Sequence, residues 1–247
     1  MMTMDIDGAA LDQDKRARDN RANERILLQT WFSPAFPIGG FAYSHGLEKA
    51  VEHGLVRDAD TLSAWIADLI QFGSLRNDLI VAACAWRAAG TGDTTAIANI
   101  AELAAALQPS AERYLEALTQ GACFLEAIRQ AWTIPALTVI LGKLGGEAKI
   151  PYAVAAGLVS GAYRLRLVPM LESYALCFVS AQISAGIRLG VLGQNAGQRI
   201  VAAVLPALTD AAARASAASL DDIGSAAFSA DLCSLEHETQ HTRLFRT

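Results

Sequence analysis

The chain has 247 residues, of which 53% are hydrophobic and only 18% charged, with a net charge of -5 and a pI near 5.4. That length is ample for one sizeable core. The acidic balance argues against nucleic acid or an anionic membrane as the main partner, because both select a clustered positive field.

Residues 1–23 are polar and mixed in charge (Asp12, Asp14, Lys15, Arg16, Arg18, Asp19, Arg21) and contain no apolar run. They read as a disordered arm rather than a signal peptide, and 24–247 as one domain. Helices are expected at 24–32 and 43–53. In the next, opened by Asp58, the residues Leu62, Trp65, Ile66, Leu69 and Ile70 recur at helical spacing behind an aspartate cap. Further helices are expected at 77–89, 93–107, 109–132, 134–144, 151–163, 169–192, 196–215 and 220–230, with Pro109, Pro151 and Pro169 at helix starts. Breaks such as Gly90-Thr91-Gly92-Asp93 and Gly145-Gly146 are short, and nothing alternates as a strand would. The expected fold is all-α, a single-domain bundle of about ten helices. The apolar stretch 168–192 is long enough to span a bilayer. Glu172, Gln182 and Arg188 interrupt it, so it reads as a core helix.

Cys84, Cys123, Cys177 and Cys233 stand singly in Ala- or Leu-rich stretches. They suit small core residues in a reduced, cytoplasmic setting, not disulfides or a metal cage. The segment His237-Glu238-Thr239-Gln240-His241 is a literal H-E-x-x-H, the spacing that puts two imidazoles on one helix face with a glutamate as base. A zinc metallohydrolase is therefore the alternative reading. It lacks a third ligand, because none of the residues after His241 is His, Asp or Glu. No phosphate loop and no nucleophile elbow is present: Gly39-Gly40 is followed by no G-K-[ST], and Gly142-Lys143-Leu144-Gly145-Gly146 has the wrong spacing. Neither a cofactor nor a bound metal is expected.

Two segments do not read as core. Ser33-Pro34-Ala35-Phe36-Pro37-Ile38-Gly39-Gly40-Phe41-Ala42-Tyr43-Ser44-His45-Gly46-Leu47-Glu48 sets prolines and paired glycines before a polar cluster. Tyr43, Ser44, His45 and Glu48 then fall within two turns of one expected helix, which suits a rigid docking surface; capping that helix is the plainer role. At the other end, Arg243-Leu244-Phe245-Arg246 alternates forked cations with apolar bodies. These two segments, with Arg188-Leu189-Gly190-Val191-Leu192-Gly193-Gln194 and His237-Glu238-Thr239-Gln240, resemble the urease accessory protein F family in order and spacing. His45, where a glutamine is common, and His241, where an aromatic is common, depart from its pattern.

The resemblance implies an all-helical homodimer with no catalytic activity. It implies binding to the urease accessory protein D (H in some bacteria) and recruitment of the GTPase accessory protein G, so that nickel reaches apo-urease. The residues that would bind partners are Pro37, Gly39, Gly40, Tyr43, Ser44, His45, Glu48, Arg188, Gln194, Arg243, Leu244, Phe245 and Arg246. Arg188 has the further option of satisfying carbonyls near a helix end. The tail is expected to be loosely held in the free protein and to dock into the D-type partner through Phe245, with Arg243 and Arg246 pairing with carboxylates or carbonyls.

Overall fold

The computed structural model describes residues 21–146 and 148–247; most of the expected arm, 1–20, lies outside them, and its last three residues open the first helix. Of the described residues 73% are helical, and none lies in a strand. The helices are α1 (21–31), α2 (Leu47–Glu52), α3 (Ala59–Phe72), α4 (Ser74–Thr91), α5 (Thr94–Ala106), α6 (Ala111–Ala131), α7 (Pro135–Leu144), α8 (Tyr152–Ala162), α9 (Leu167–Arg188), α10 (Gln194–Ala217) and α11 (Phe228–His237).

The bundle is organised around α8, in which every residue from Tyr152 to Gly161 is buried. A helix apolar on all sides needs neighbours on all sides. Its most extensive contact is with α4, followed by α6, with α5, α7 and α9 closing the rest. The contact with α4 is backbone against backbone. A Cβ on Gly157 would lie 2.2 Å from the Ala82 carbonyl oxygen, and one on Gly161 would lie 2.4 Å from that of Trp86. Glycine is required at both positions by this approach. Beyond the end of α8 the Trp86 indole donates to the Leu165 carbonyl at 2.8 Å.

α3 follows the sequence reading closely. Its buried residues are Leu62, Trp65, Ile66, Leu69 and Ile70, and Asp58 caps it by accepting from the Thr61 N–H at 2.9 Å, with Thr61 returning the bond to the Asp58 N–H at 3.1 Å. α1 docks through Trp31 and Phe32 onto an aromatic cluster with Phe36, Phe124, Trp132, Tyr152, Tyr163 and Tyr174. Its Glu24 caps α9, accepting from the Arg166 N–H and from the guanidinium, each at 2.6 Å.

Three expectations need correction. The helix expected at 43–53 begins only at Leu47, because His45 (φ 59°) and Gly46 (φ 76°) are both left-handed and break it. The helix expected at 169–192 begins two residues earlier and ends at Arg188, ahead of Gly190 at φ 75°. The helix expected at 220–230 is a short 3-10 turn, Leu220–Asp222; the real helix, α11, starts at Phe228 and ends at His237. α9 and α10 are both long and apolar enough to cross a membrane, yet both pack in the bundle, against each other and against α3 and α4.

The α8–α4 approach yields a first prediction. Gly157→Ala must push α8 off Ala82, with an overpacking cost on the order of 3 kcal/mol. A thermal melt followed by circular dichroism should show a midpoint lowered by several degrees, whereas an unchanged midpoint would mean the two backbones are not in contact.

Candidate functional site

The two unusual segments meet. The chain after Ala42 runs extended to Ser44, turns through His45 and Gly46 and enters α2. Gly46 also lets α11 approach: a Cβ there would sit 3.0 Å from the Ser234 nitrogen. The last residues lie in the socket this makes. The Arg246 N–H donates to the Ala42 carbonyl at 2.8 Å, and the Ser44 N–H donates to the Thr247 carbonyl at 3.0 Å. The Ser44 hydroxyl also donates to that carbonyl and accepts from the Glu48 N–H at 3.2 Å.

Glu48 is the centre of the socket. Only 7% exposed, its carboxylate accepts from the Leu244 N–H at 2.6 Å and the Phe245 N–H at 2.9 Å, and it meets Nε2 of His237 at 3.2 Å. The other ring nitrogen of His237 faces Glu112 at 2.7 Å, and Glu112 binds Arg243 at 2.5 Å. Arg243 further donates to the carbonyls of Glu238 and Gln240. Because α11 stops at His237, His237 and His241 do not form one helical face, and His237 is wholly buried between two carboxylates. The arrangement that the H-E-x-x-H spacing suggested is not formed.

Beside this lies a second buried cluster. Arg113 binds Glu116 at 2.5 Å, Glu116 accepts from Gln120 and from the Thr247 hydroxyl at 3.1 and 3.0 Å, and Nδ1 of His45 lies 2.5 Å from Arg113. His45 stacks edge-on to Phe178. Burial, then the Arg113 charge, lowers the His45 pKa, against the opposing pull of Glu116, whose carboxylate lies 2.8 Å from the same Nδ1. Burial alone would raise the Glu116 carboxyl, but Arg113 and then His45 outweigh it and hold it at about 2. The cluster walls a cavity of about 70 Å³, on whose far side Asp78 accepts from the Tyr174 hydroxyl at 2.9 Å.

Arg188 joins the tail to the first segment. Its guanidinium lies 3.6 Å from the Phe41 ring centre and 4.2 Å from that of Phe245, and it donates to the Phe41 carbonyl. Of the residues expected to bind partners, Tyr43, Ser44, His45, Glu48, Arg188, Arg243, Leu244, Phe245 and Arg246 are brought together here. Pro37 and Gly39 are exposed on the turn leading in, with Gly40 partly covered. Gln194 stands apart, exposed in the first turn of α10. The tail is not loosely held: Phe245 is 4% and Thr247 1% exposed, and Phe245 fills this chain's own socket. The polar partners Glu112, Arg113, Glu116 and His237 were not singled out as parts of one site. His237 stands in the sequence as half of the H-E-x-x-H pair, and Glu112, Arg113 and Glu116, all in the first turns of α6, carry no local signal of the partners they meet.

A family model described as UreF matches residues 56–205. The chain is 46% identical over 226 residues, 92% of its length and 98% of the relative's, to the urease accessory protein UreF of Methylobacterium radiotolerans. It is 48% identical over 222 residues, 90% of each chain, to that of Xanthobacter autotrophicus. The protein of the same name from Rhodopseudomonas palustris strain HaA2 is 49% identical over 220 residues, 89% of this chain and 92% of the relative. The chain belongs to the UreF family. Both segments of the socket lie outside the stretch matched by the UreF family model, which covers the helical scaffold instead.

In this UreF-family scaffold the carboxyls of the buried Glu116 and the partly buried Asp78 make opposite contributions to stability. Glu116, depressed to about 2 from 4.5, stabilises the fold above pH 4.5, and that contribution is lost as the pH falls toward 2. Asp78, raised by burial to about 6 from 3.8, carries no cost below pH 3.8 and an increasing one as the pH rises through 6. Asp78→Asn keeps an acceptor for Tyr174 and removes the charge. The variant should be more stable than the parent at pH 7, by about 1–2 kcal/mol after discounting for the partial solvent contact of Asp78. Melts at pH 4, 5.5 and 7 should show the gain growing with pH; a variant less stable at pH 7 would refute the assignment.

Proposed function

We propose that this chain is a cytoplasmic assembly scaffold for urease maturation. It acts as a homodimer that binds the D-type accessory protein (H in some bacteria) and recruits the GTPase accessory protein G, so that nickel is delivered to apo-urease. The coarse part rests on family membership: the chain is a urease accessory protein and not an enzyme. Nickel is cargo in this reading, and the GTPase supplies the nucleotide chemistry.

The observation that supports a partner surface is the way the tail is split. Phe245 and Thr247 point inward and fix its path, while Leu244 is 54% exposed and Arg246 is exposed beside it. A rigid strip that offers an apolar body and a forked cation costs little conformational entropy when a partner covers it. Tyr43, Ser44, His45 and Glu48 act beneath it, as the frame that holds the strip, and Arg188 holds its Phe245 in place. In this reading the D-type protein docks on Leu244 and Arg246.

The test leaves the socket intact. Leu244→Asp with Arg246→Glu should preserve the helical spectrum and melting temperature, abolish complex formation with the D-type protein in size-exclusion chromatography, and abolish urease activation in cells. Full complex formation by this variant would overturn the tail's role.

A further inference from the structure

We propose that the cavity between α4, α6, α8 and α9 is a binding site for a small monovalent cation, ammonium or potassium, held by Asp78, Tyr152, Tyr174 and Gln182. The inference goes beyond the scaffold reading and does not rest on it. These four side chains come from three helices and line one cavity of about 70 Å³. A water-sized body needs about 10–15 Å³ of free space, so there is room for the ion and a few waters.

Two of the four carry an oxygen without a partner. The Tyr152 hydroxyl and Oε1 of Gln182 are buried and receive no hydrogen bond from the chain, in residues only 8% and 2% exposed. Gln182 commits its amide nitrogen to the Ser44 carbonyl at 3.3 Å, so what it has left over is an acceptor. The Tyr152 hydroxyl has the Cys177 thiol beside it, which is a weak partner. A buried polar atom left unpaired costs free energy that a bound cation recovers.

The charge balance sets the class of ligand. The cavity is lined by Asp78, Glu116 and Arg113, while His45, its pKa lowered from 6.5 by burial, adds no charge at pH 7. Arg113 is committed to Glu116 at 2.5 Å, and Asp78 has the Tyr174 hydroxyl at 2.9 Å. An ionised Asp78 therefore gives the cavity one net negative charge, which repels anions and is cancelled by a single positive one. A divalent metal fits poorly, because no group of three or more His, Cys, Asp or Glu among the described residues could hold one. Burial raises the Asp78 carboxyl to about 6, against Arg113 and the Tyr174 hydroxyl and with Glu116. On its outer side Asp231 of α11 lines a recess shared with Asp78, and burial raises that carboxyl too. Tyr152, Tyr174 and Cys177 are all raised and stay neutral. A proton and the cation compete for Asp78, so affinity is full well above pH 6 and falls about tenfold per unit below it.

Thermal melts of the full chain at pH 7, in sodium, ammonium or potassium chloride at equal ionic strength, test the site. Ammonium or potassium should raise the parent's midpoint by about 3 °C or more over sodium, and at pH 4.5 the difference should vanish. Asp78→Asn should melt at one temperature in all three salts. Tyr152→Phe, which deletes a hydroxyl unpaired in the fold, should keep the parent's helical spectrum and lose most of the shift. A shift with ammonium alone marks hydrogen bonding as the selector, one with potassium alone marks coordination by oxygens, and one with both marks size and charge; each supports the site. Equal midpoints for the parent in all three salts, or a shift that Asp78→Asn retains, overturn it. A midpoint raised by nickel chloride but by neither monovalent ion overturns the class of ligand.

Discussion

A single buried carboxylate ties the two ends of this chain together. Glu48 accepts two consecutive backbone N–H groups of the tail and meets His237. A carboxylate taken out of water is tolerable only when its lone pairs are filled, and here the filling comes from residues almost two hundred positions away in sequence. The dependence runs both ways. Without Glu48, the part-buried Leu244 N–H and the buried Phe245 N–H would each lose an acceptor, at about 1–3 kcal/mol for the buried one, and the tail would lose its path. The left-handed turn at His45 and Gly46, the early end of α11 and the inward setting of Phe245 all follow from bringing these groups into register.

The charged groups around Glu48 are better understood as specifying an arrangement than as adding stability. Replacing a buried ion pair with apolar side chains of similar volume is often neutral or stabilising, whereas removing one partner is costly. Glu112 shows the principle. One oxygen meets His237 on α11 and the other meets Arg243 in the tail, so its position is correct only when both elements are seated. Glu116 does the same for His45, Arg113, Gln120 and Thr247. An apolar filling of equal volume would accept a shifted tail, and this network would not. In a protein whose exposed strip is proposed to be read by partners, that discrimination has a use.

What the sequence disclosed follows the range of the interactions involved. The helical scaffold was legible because its signals are local. α3 announces itself through an aspartate cap and five periodic apolar residues, all of which are buried. α11 was missed because its large apolar residues, Phe228, Leu232 and Leu235, lie on the solvent side while its inner side carries only the small Ala230 and Cys233 with Ser234 and His237, which blurs the usual pattern. The docked tail was missed for a related reason: nothing near residues 243–247 indicates where Phe245 goes, since its pocket is made by Arg188 and its backbone partners by Glu48. The family resemblance singled out both segments. It could not show that they touch, because that contact is a property of the closed chain.

The composition takes on a further meaning once the fold is known. With 53% hydrophobic residues and few charges, the chain has more apolar surface than one core can cover. α8 is saturated on every side, but α9 and α10 are buried over only 39% and 33% of their most apolar windows, and Phe41, Leu205, Phe228 and Leu244 remain largely open. Exposed apolar surface of that extent on ordered elements marks contact faces in soluble proteins. The faces are also joined. The Arg188 guanidinium lies between the exposed Phe41 ring and Phe245, beneath the outward strip of the tail. A shift in that one cation would be felt at both rings, so the setting of Phe41 and the setting of Phe245 are linked by direct contact.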